Sequence, residues 1–231
     1  MKVITVDALE WPDDAEPMPS APEKTLERLS LYRRLLVTIV SDGRRHVHSH
    51  DLASLSGFTA AQVRRDLMVV GYTGNPARGY SAEGLVEAIG TFLDGPEPEA
   101  AALVGVGNLG RAILAYFLGR RPGARLVAAF DIDPAKVGRV IQGCRCYSIE
   151  EVERRVHDHG IRVGLIAVPA NAAAGVADRL ARAGVRGLLN FAPVPLRAPA
   201  GVYLEQMDMT TWLEKVACFA RNEAIGKDGN Q

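Results

Sequence analysis

Residues 101–112, AALVGVGNLGRA, contain the spacing Gly-x-Gly-x-x-Gly at Gly105, Gly107 and Gly110. Because the glycines follow an apolar run and precede a helical pattern, they predict a strand, a tight turn and a helix whose N-terminus faces a pyrophosphate. Gly105 would permit the turn, Gly107 would let the backbone approach the phosphates, and Gly110 would let the helix pack close to the strand. The predicted phosphate-binding loop comprises Gly105, Val106, Gly107, Asn108, Leu109 and Gly110.

An acidic residue follows at the expected distance. Asp131 comes after the apolar run Arg125–Phe130, 21 residues beyond Gly110. A carboxylate there can accept hydrogen bonds from the ribose hydroxyls of adenosine and would repel a 2′-phosphate, which favours NAD+ or NADH over the phosphorylated dinucleotides. The alternative is a glycine-rich turn that serves packing alone.

The second half of the chain alternates apolar strands with helices. The runs Ile161–Val168 and Gly187–Asn190 flank a helical pattern over Asn171–Ala183. Strands that are apolar throughout are typical of a parallel sheet covered on both faces. We therefore predict an α/β fold with a Rossmann doubly wound parallel sheet over residues 95–205.

Charge is unevenly distributed. Residues 1–23 carry one Lys and six acidic residues, whereas residues 24–80 carry nine Lys and Arg and four Asp and Glu. The proline-rich acidic segment 1–23 is predicted to be a disordered tail. The basic excess that follows is consistent with a polyanion-binding module or with chance clustering on a solvated surface.

The basic segment has the pattern of a winged-helix domain over residues 24–94. A first helix over 24–41 is followed by a short helix that Ser49 is expected to cap, and Thr59 is expected to cap a third helix beginning AAQVRRDL. Residues 72–80 are predicted to form a hairpin, the wing. The candidates for DNA contact are Thr59, Gln62, Arg64, Arg65 and Arg78. The alternative is a solvated arginine pair.

A last helix is predicted from about Thr210 to Arg221. Its apolar stripe includes Trp212, Leu213 and Phe219, which must be buried against another surface. The sequence leaves two possibilities open, namely packing on its own domain or packing on a partner subunit.

Catalytic and metal-binding candidates are weak, so we predict no catalytic residue and no metal site. His46-x-His48-x-His50 straddles a helix cap, and Cys144-x-Cys146 lies on an apparent strand and lacks redox spacing. No apolar run approaches the length of a transmembrane helix, and the N-terminus does not resemble a signal peptide. We expect a cytoplasmic protein that has no membrane partner.

Several separated motifs together resemble the redox-sensing repressor family Rex. They are RLSLYRR (28–34), AAQVRRDL (60–67), GVGNLGRA (105–112), AAFDIDPAKVGR (128–139) and LNFAPVPLRAPAGV (189–202). The resemblance covers roughly residues 24–222. It implies a homodimer with a winged-helix domain, a Rossmann domain and, over 206–231, a linker with a dimer-swapped C-terminal helix. It further implies binding to double-stranded operator DNA that is released when NADH binds.

The resemblance also assigns roles to individual residues. Tyr116 matches a tyrosine near the nicotinamide, and Asp208 matches an acidic residue in the linker to the swapped helix. Arg34 matches a first-helix arginine that meets this acid from the other subunit. The three together imply an interdomain switch that responds to the charge of the nicotinamide ring. The chain departs from the family pattern at Met68, at the wing and at Met209.

Two other functions remain open at the level of sequence. One is an enzyme, either a small NAD-dependent oxidoreductase or a CoA-type nucleotide-binding subunit with a helical accessory domain. The other is a winged helix that binds a protein and not DNA. The basic third helix and the shortage of a plausible proton donor favour the repressor.

Overall fold

A computed structural model describes residues 21–75, 77–94, 97–119 and 123–221. The chain divides into two compact units, with the boundary between Pro98 and Glu99. Most of the predicted acidic tail and the last ten residues lie outside the described ranges.

The first unit consists of four helices around one apolar core. Its helices are α1 (Glu23–Ser41), α2 (Ser49–Ser56), α3 (Ala60–Val69) and α4 (Ala82–Asp94). The apolar positions of α1 recur every three or four residues, so Leu29, Tyr32 and Leu36 fall on one buried face. This face packs with Leu67 of α3 and Leu85 of α4 in a continuous cluster.

A two-stranded antiparallel sheet completes a winged-helix arrangement. Strand β1 (His46–Val47) pairs with β2 (Tyr80–Ser81). The predicted hairpin over 72–80 is therefore only partly correct, because its regular partner strand lies before α2. Within the wing, Asn75 and Gly79 form one isolated bridge. The predicted cap of α2 is also one residue off, since His48, not Ser49, is the N-cap residue.

The second unit contains a seven-stranded sheet. Its strands are β3 (Glu99–Val104), β4 (Ala124–Asp131), β5 (Val140–Ile141), β6 (Cys144–Ser148), β7 (Ile161–Ile166), β8 (Gly187–Asn190) and β9 (Tyr203–Gln206). The order across the sheet is β5-β6-β4-β3-β7-β8-β9, and only the short β5 is antiparallel to its neighbour. The parallel strands follow the order of a doubly wound dinucleotide-binding fold, with its switch point between β3 and β7.

Helices cover both faces of this sheet. They are α5 (Asn108–Phe117), α6 (Val152–Asp158) and α7 (Ala170–Ala183). Because side chains alternate along a strand, Leu103 of β3 packs with Ile113 of α5, whereas Val104 belongs to the cluster that contains Val156 of α6 and Leu180 of α7. These two apolar clusters confirm the predicted burial of the sheet on both faces.

The chain continues after β9 into α8 (Met209–Arg221), one residue longer at its start than predicted. Every residue of α8 is exposed in the single chain, including Trp212 and Leu213 at 70% each. Packing against its own domain, the first of the two possibilities, is therefore not observed for the described part of this helix. Among the described residues, no helix has the length and apolarity required to cross a membrane.

Candidate nucleotide and DNA sites

The glycine loop continues the parallel ladder and then turns sharply into α5. The Gly105 amide donates to the carbonyl of Phe130 at 2.8 Å, and Gly105 has φ +94°. A Cβ at Gly105 would overlap the carbonyl oxygen of Ala167, and one at Gly110 would overlap the carbonyl oxygen of Gly105. Both glycines are therefore required by close backbone approach, as predicted for the turn and for the helix–strand contact.

Gly107 differs from the other two glycines because its missing side chain leaves open space. It is the N-cap residue of α5, and a Cβ there would meet no atom within 4 Å. No acidic residue occupies the first turn of α5. The N–H groups of a first helical turn have no partner inside the helix, and the helix dipole favours an anion there. The loop therefore fits a dinucleotide pyrophosphate, which Gly107, Asn108 and Leu109 would hold.

Asp131 is the last residue of β4 and lies beside this loop, 8% exposed. Its Oδ2 accepts hydrogen bonds from the Val106 amide at 2.8 Å and from Lys136 Nζ at 3.0 Å, and its Oδ1 accepts from the Asp133 amide at 2.9 Å. Burial raises the pKa of Asp131, but these hydrogen bonds lower it by more, so the pKa lies below its ordinary value. A carboxylate accepts about four hydrogen bonds, so capacity for a ribose hydroxyl remains.

Lys136 was missed by the sequence reasoning. Its ammonium group contacts Asp131 at 3.0 Å and Asp133 at 3.6 Å, and these carboxylates raise the pKa of Lys136. The segment Asp131-x-Asp133-x-x-Lys136 was a usable signal, because a turn after a strand brings such residues together. The lysine offsets part of the negative charge that we expected to exclude a 2′-phosphate.

The predicted DNA-contacting residues of α3 lie where the capping pattern placed them. Thr59 is the N-cap residue of α3, and its side chain accepts a hydrogen bond from the Gln62 amide at 3.2 Å. The Gln62 side chain makes no reciprocal hydrogen bond to the backbone of Thr59, as a capping box would require. Instead its Nε2 donates to Asp66 Oδ1 at 2.9 Å, and its Oε1 accepts from Arg65 at 2.9 Å. The residues Gln62 and Arg65 are thus connected to each other and to a buried acid.

Asp66 lies at the centre of a polar network between α1 and α3 and is 2% exposed. Arg28 of α1 donates to both of its oxygens at 2.7 Å, and the Tyr32 hydroxyl donates at 3.1 Å. Burial raises the pKa of Asp66, but the hydrogen bonds from Arg28, Gln62 and Tyr32 outweigh it and lower the pKa below the ordinary value. The spacings Arg28-x-x-x-Tyr32 on α1 and Gln62-x-x-x-Asp66 on α3, each about one helical turn, were the sequence signals for this network.

The remaining predicted DNA contacts are exposed cations. Arg64 on α3 donates to Ser49 Oγ at 3.1 Å. Arg78 follows a tight wing in which Asn75 Oδ1 accepts from the Ala77 and Arg78 amides at 2.8 and 3.1 Å. The amides of Asn75 and Gly79 each donate to the other's carbonyl at 2.7 Å. These hydrogen bonds close the described part of the wing into a tight turn beside the exposed Arg78.

The three residues assigned to an interdomain switch lie on different elements. Arg34 is on the exposed side of α1, in the first unit. Tyr116 is 54% exposed near the end of α5, its ring edge-on to Phe117 at 5.1 Å. From Asn108 to Tyr116 the helical rise is about 12 Å, so Tyr116 is separated from the glycine loop by most of the helix.

Asp208 has a local role that the sequence reasoning did not assign. It precedes α8 and accepts hydrogen bonds from the Thr211 amide at 3.0 Å and the Thr211 hydroxyl at 2.6 Å. These bonds lower the pKa of the Asp208 carboxyl. Asp208 therefore caps α8, and the spacing Asp208-x-x-Thr211 was the available signal.

The cysteine and histidine candidates behave as structural groups. Cys144 and Cys146 are buried in β6, and burial raises the pKa of the Cys144 thiol to about 11, which makes it a poor nucleophile. The rings of His48 and His50 stack at 5.2 Å. In the described part of the chain, no cluster of three or more His, Cys, Asp or Glu side chains has the arrangement of a metal site.

Comparisons with family models match the two units separately. Residues 20–67 match the model described as a putative DNA-binding protein N-terminus, and residues 97–194 match the CoA binding domain. The first match covers α1, α2 and most of α3. The second covers the glycine loop and most of the parallel sheet.

Comparisons with whole proteins extend over both units. The redox-sensing transcriptional repressor Rex of Roseiflexus sp. (strain RS-1) is 38% identical over 87% of this chain and 92% of its own length. Two crystal structures of the Rex-family repressor RSP are 30% identical and each cover 89% of this chain. The complex of RSP with NAD+ and operator DNA has a TM-score of 0.81 over 94% of that chain, and the complex with NADH has 0.78 over 97%. The chain belongs to the Rex family of redox-sensing transcriptional repressors.

Proposed function

We propose that this chain is an NADH/NAD+-responsive transcriptional repressor that binds operator DNA as a homodimer and is released when NADH binds. The observation that carries the proposal is one chain holding both a glycine loop fitted to a pyrophosphate and a capped helix that exposes Arg64 and Arg65. We further propose that it acts in the cytoplasm and performs no catalysis.

The DNA-binding part of the proposal assigns α3 to the major groove. The exposed cations Arg64, Arg65 and Arg78 would contact base edges or phosphates, and Thr59 would lie at the end of the helix that enters the groove. The structure of RSP with operator DNA supports this assignment, because RSP matches this chain across both units. The domain limits that go with it are 24–94 for the winged helix and 95–205 for the nucleotide-binding domain.

The nucleotide part of the proposal makes NADH and NAD+ the ligands. The loop Gly105–Gly110 would hold the pyrophosphate and Asp131 the adenosine ribose. The bound group supplies a signal, since its nicotinamide ring is cationic in NAD+ and neutral in NADH. The complexes of RSP with each form support this choice of ligand.

The homodimer part of the proposal rests on α8. Its apolar side chains Met209, Trp212, Leu213, Val216 and Phe219 are between 53% and 70% exposed in the single chain. A stripe of this size on one helix is unfavourable in water and is typical of a subunit interface. We propose that residues 206–231 form a linker and a helix that packs on a second copy of the chain.

Arg34, Tyr116 and Asp208 are proposed as the switch between the two nucleotide states. A carboxylate beside the nicotinamide ring would be stabilised by the positive charge of NAD+. Beside the neutral ring of NADH, the same carboxylate would be more stable when paired with another cation, such as Arg34. Asp208→Asn tests this point cleanly, because asparagine is also a good N-cap residue and keeps α8 capped. We expect the variant to bind both nucleotides and to lose the difference between their effects on DNA binding.

A second candidate function follows from the CoA binding domain match over residues 97–194. A CoA-type subunit would use the same glycine loop for the pyrophosphate of CoA. The comparisons that span both units favour the repressor, since those relatives are named as repressors. Competition between CoA and NADH for the purified protein separates the two candidates.

The main experiment is fluorescence anisotropy of a labelled palindromic promoter fragment, titrated with the protein and then with NADH or NAD+. The proposal requires a complex that NADH dissociates at a much lower concentration than NAD+. A DNA complex whose stability changes with neither nucleotide would contradict the proposed sensing of NADH. Failure to bind DNA even at low salt, together with turnover of NADH by a small carbonyl compound, would favour an enzyme.

A further inference from the structure

The buried carboxylate of Asp66 and the half-buried side chain of Gln62 form a connection from the core of the first unit to its proposed DNA-reading surface. Asp66 accepts from Arg28 through both oxygens at 2.7 Å, which fixes the plane of the carboxylate. Gln62 lies one helical turn before Asp66 and donates its Nε2 to Oδ1 at 2.9 Å. The hydrogen bond to Asp66 therefore sets the orientation of the Gln62 side-chain amide.

This orientation has a definite polarity. The nitrogen of the Gln62 amide must face Asp66, because a carboxylate only accepts hydrogen bonds. The oxygen consequently faces away from Asp66, where it accepts from Arg65 at 2.9 Å. A primary amide has two donors and two acceptor sites, so Gln62 retains one donor and one acceptor for a base edge.

We propose that Asp66 is a positioning residue for base recognition, which fixes the Gln62 amide so that it reads an adenine in the major groove. Adenine presents an N6 donor beside an N7 acceptor, the complement of the oxygen and nitrogen that Gln62 offers. Asp66 itself contacts no base. The proposal depends on the proposed DNA-binding function and adds to it the residue that sets the base preference.

Asp66→Asn tests the polarity directly. Asparagine keeps the shape of the side chain but replaces one carboxylate oxygen with a donor, so Gln62 can turn its oxygen inward and release Arg65. The preference of the protein for adenine over other bases at the position read by Gln62 should then decrease. Affinity for random DNA should stay equal or rise, because a negative charge near the interface has been removed. A variant that is merely less stable would lose both kinds of binding.

The measurement uses the full chain and a palindromic DNA selected by repeated binding from a random double-stranded library. Each adenine of the half-site is replaced in turn by 7-deazaadenine, which lacks the N7 acceptor. We expect one position at which wild-type affinity falls roughly 5- to 100-fold, the range for one bidentate base contact. Gln62→Ala and Asp66→Asn should both be insensitive at that position. Equal sensitivity of all three proteins would overturn the proposal.

Ser49→Ala is the matched control, because it removes the hydrogen-bond partner of Arg64 on the same surface but outside the Asp66 network. It should keep the wild-type pattern of sensitivity to 7-deazaadenine. If Ser49→Ala alters that pattern as Asp66→Asn does, the effect is general to the surface and the proposal is wrong.

A second measurement does not depend on DNA or on the folding of a variant. In the free wild-type protein, NMR should detect a scalar coupling across the hydrogen bond from Gln62 Nε2 to the Asp66 carboxyl carbon, and a rigid side-chain amide at Gln62. A mobile Gln62 amide without this coupling would overturn the proposal. If the wild-type protein binds no DNA, the proposed function fails, while NMR still decides whether Asp66 fixes Gln62.

Discussion

Gly110 packs directly against the carbonyl oxygen of Gly105, so closely that a Cβ atom on Gly110 would overlap it. Gly107, between them, faces open space at the start of α5. The three glycines of one motif therefore meet different constraints. Two are required by the fold, and the third by the ligand that the fold is proposed to bind.

The glycine loop gives the first prediction. Gly110→Ala should lower the free energy of unfolding by about 1–3 kcal/mol, because α5 must move away from β3. Gly107→Ala should leave stability nearly unchanged and weaken NADH binding, since its methyl group would project toward the pyrophosphate. Urea unfolding and NADH titration separate the two effects. Equal loss of stability in both variants would contradict the distinction.

The Arg28–Asp66 pair predicts a pH-dependent stability. The pKa of Asp66 is lowered in the folded state, so its contribution is present above the ordinary pKa of a free aspartate and is lost as the pH falls through the folded value. Asp66→Asn should lower the free energy of unfolding by about 1–3 kcal/mol near neutral pH, because Arg28 keeps one oxygen acceptor but loses the charged partner and the second hydrogen bond. The difference from wild type should shrink as the pH falls below about 4.

Urea denaturation at several pH values, followed by circular dichroism, checks this prediction. The exposed Asp42 at the end of α1 provides a control, and Asp42→Asn should change stability by no more than about 0.5 kcal/mol. A cost for Asp66→Asn that stays constant between neutral and acidic pH would show that ionisation of Asp66 is not the cause.

Helix α8 predicts the oligomeric state. Leu213→Asp places a charge in the apolar stripe and should convert a dimer into a monomer, as measured by analytical ultracentrifugation. Cys218→Asp introduces the same charge on the other side of α8 and should leave the dimer intact. A wild-type monomer, or dissociation by Cys218→Asp alone, would refute the proposed interface.

Asp131 predicts nucleotide preference. Asp131→Asn replaces one carboxylate oxygen with an NH2 group. Either the Asp133 amide, which donates to Oδ1, or the Val106 amide and Lys136, which both donate to Oδ2, must then lose an acceptor. We expect NADH affinity to fall roughly 10- to 100-fold, the loss typical of hydrogen bonds to a charged group. Asp133→Asn, one side chain farther from the loop, should have a smaller effect. Isothermal titration calorimetry with NADH and NADPH checks both variants.

The wing predicts the salt dependence of DNA binding. If Arg78 of each subunit neutralises one phosphate, Arg78→Ala removes two contacts from the dimer and should reduce the slope of log affinity against log salt by about 1.8. Arg139→Ala, an exposed cation of the second unit, should leave the slope unchanged. A slope unaffected by Arg78→Ala would mean that the wing does not contact the backbone of DNA.

Local patterns in the sequence predicted most of the elements. The spacing of Gly105, Gly107 and Gly110, the acid Asp131 at a strand end and the cap Thr59 each depend on residues close in the chain, and the structure places all of them as expected. The hairpin predicted over residues 72–80 was only partly correct because its strand pairing depends on residues that are distant in the chain. The partner of β2 is β1, which lies on the far side of α2 and α3, and no local pattern specifies that pairing.

The sequence by itself determined which segments form helices and parallel strands, to within one or a few residues at their ends, because caps, glycines and apolar periodicity act over a few residues. Only the tertiary structure decided which distant polar groups meet. Arg28 and Asp66 are 38 positions apart and are paired by the packing of α1 on α3, and Lys136 reaches Asp131 through the shape of a turn. Such contacts arise from burial, since a carboxylate removed from water must find donors wherever the fold brings them.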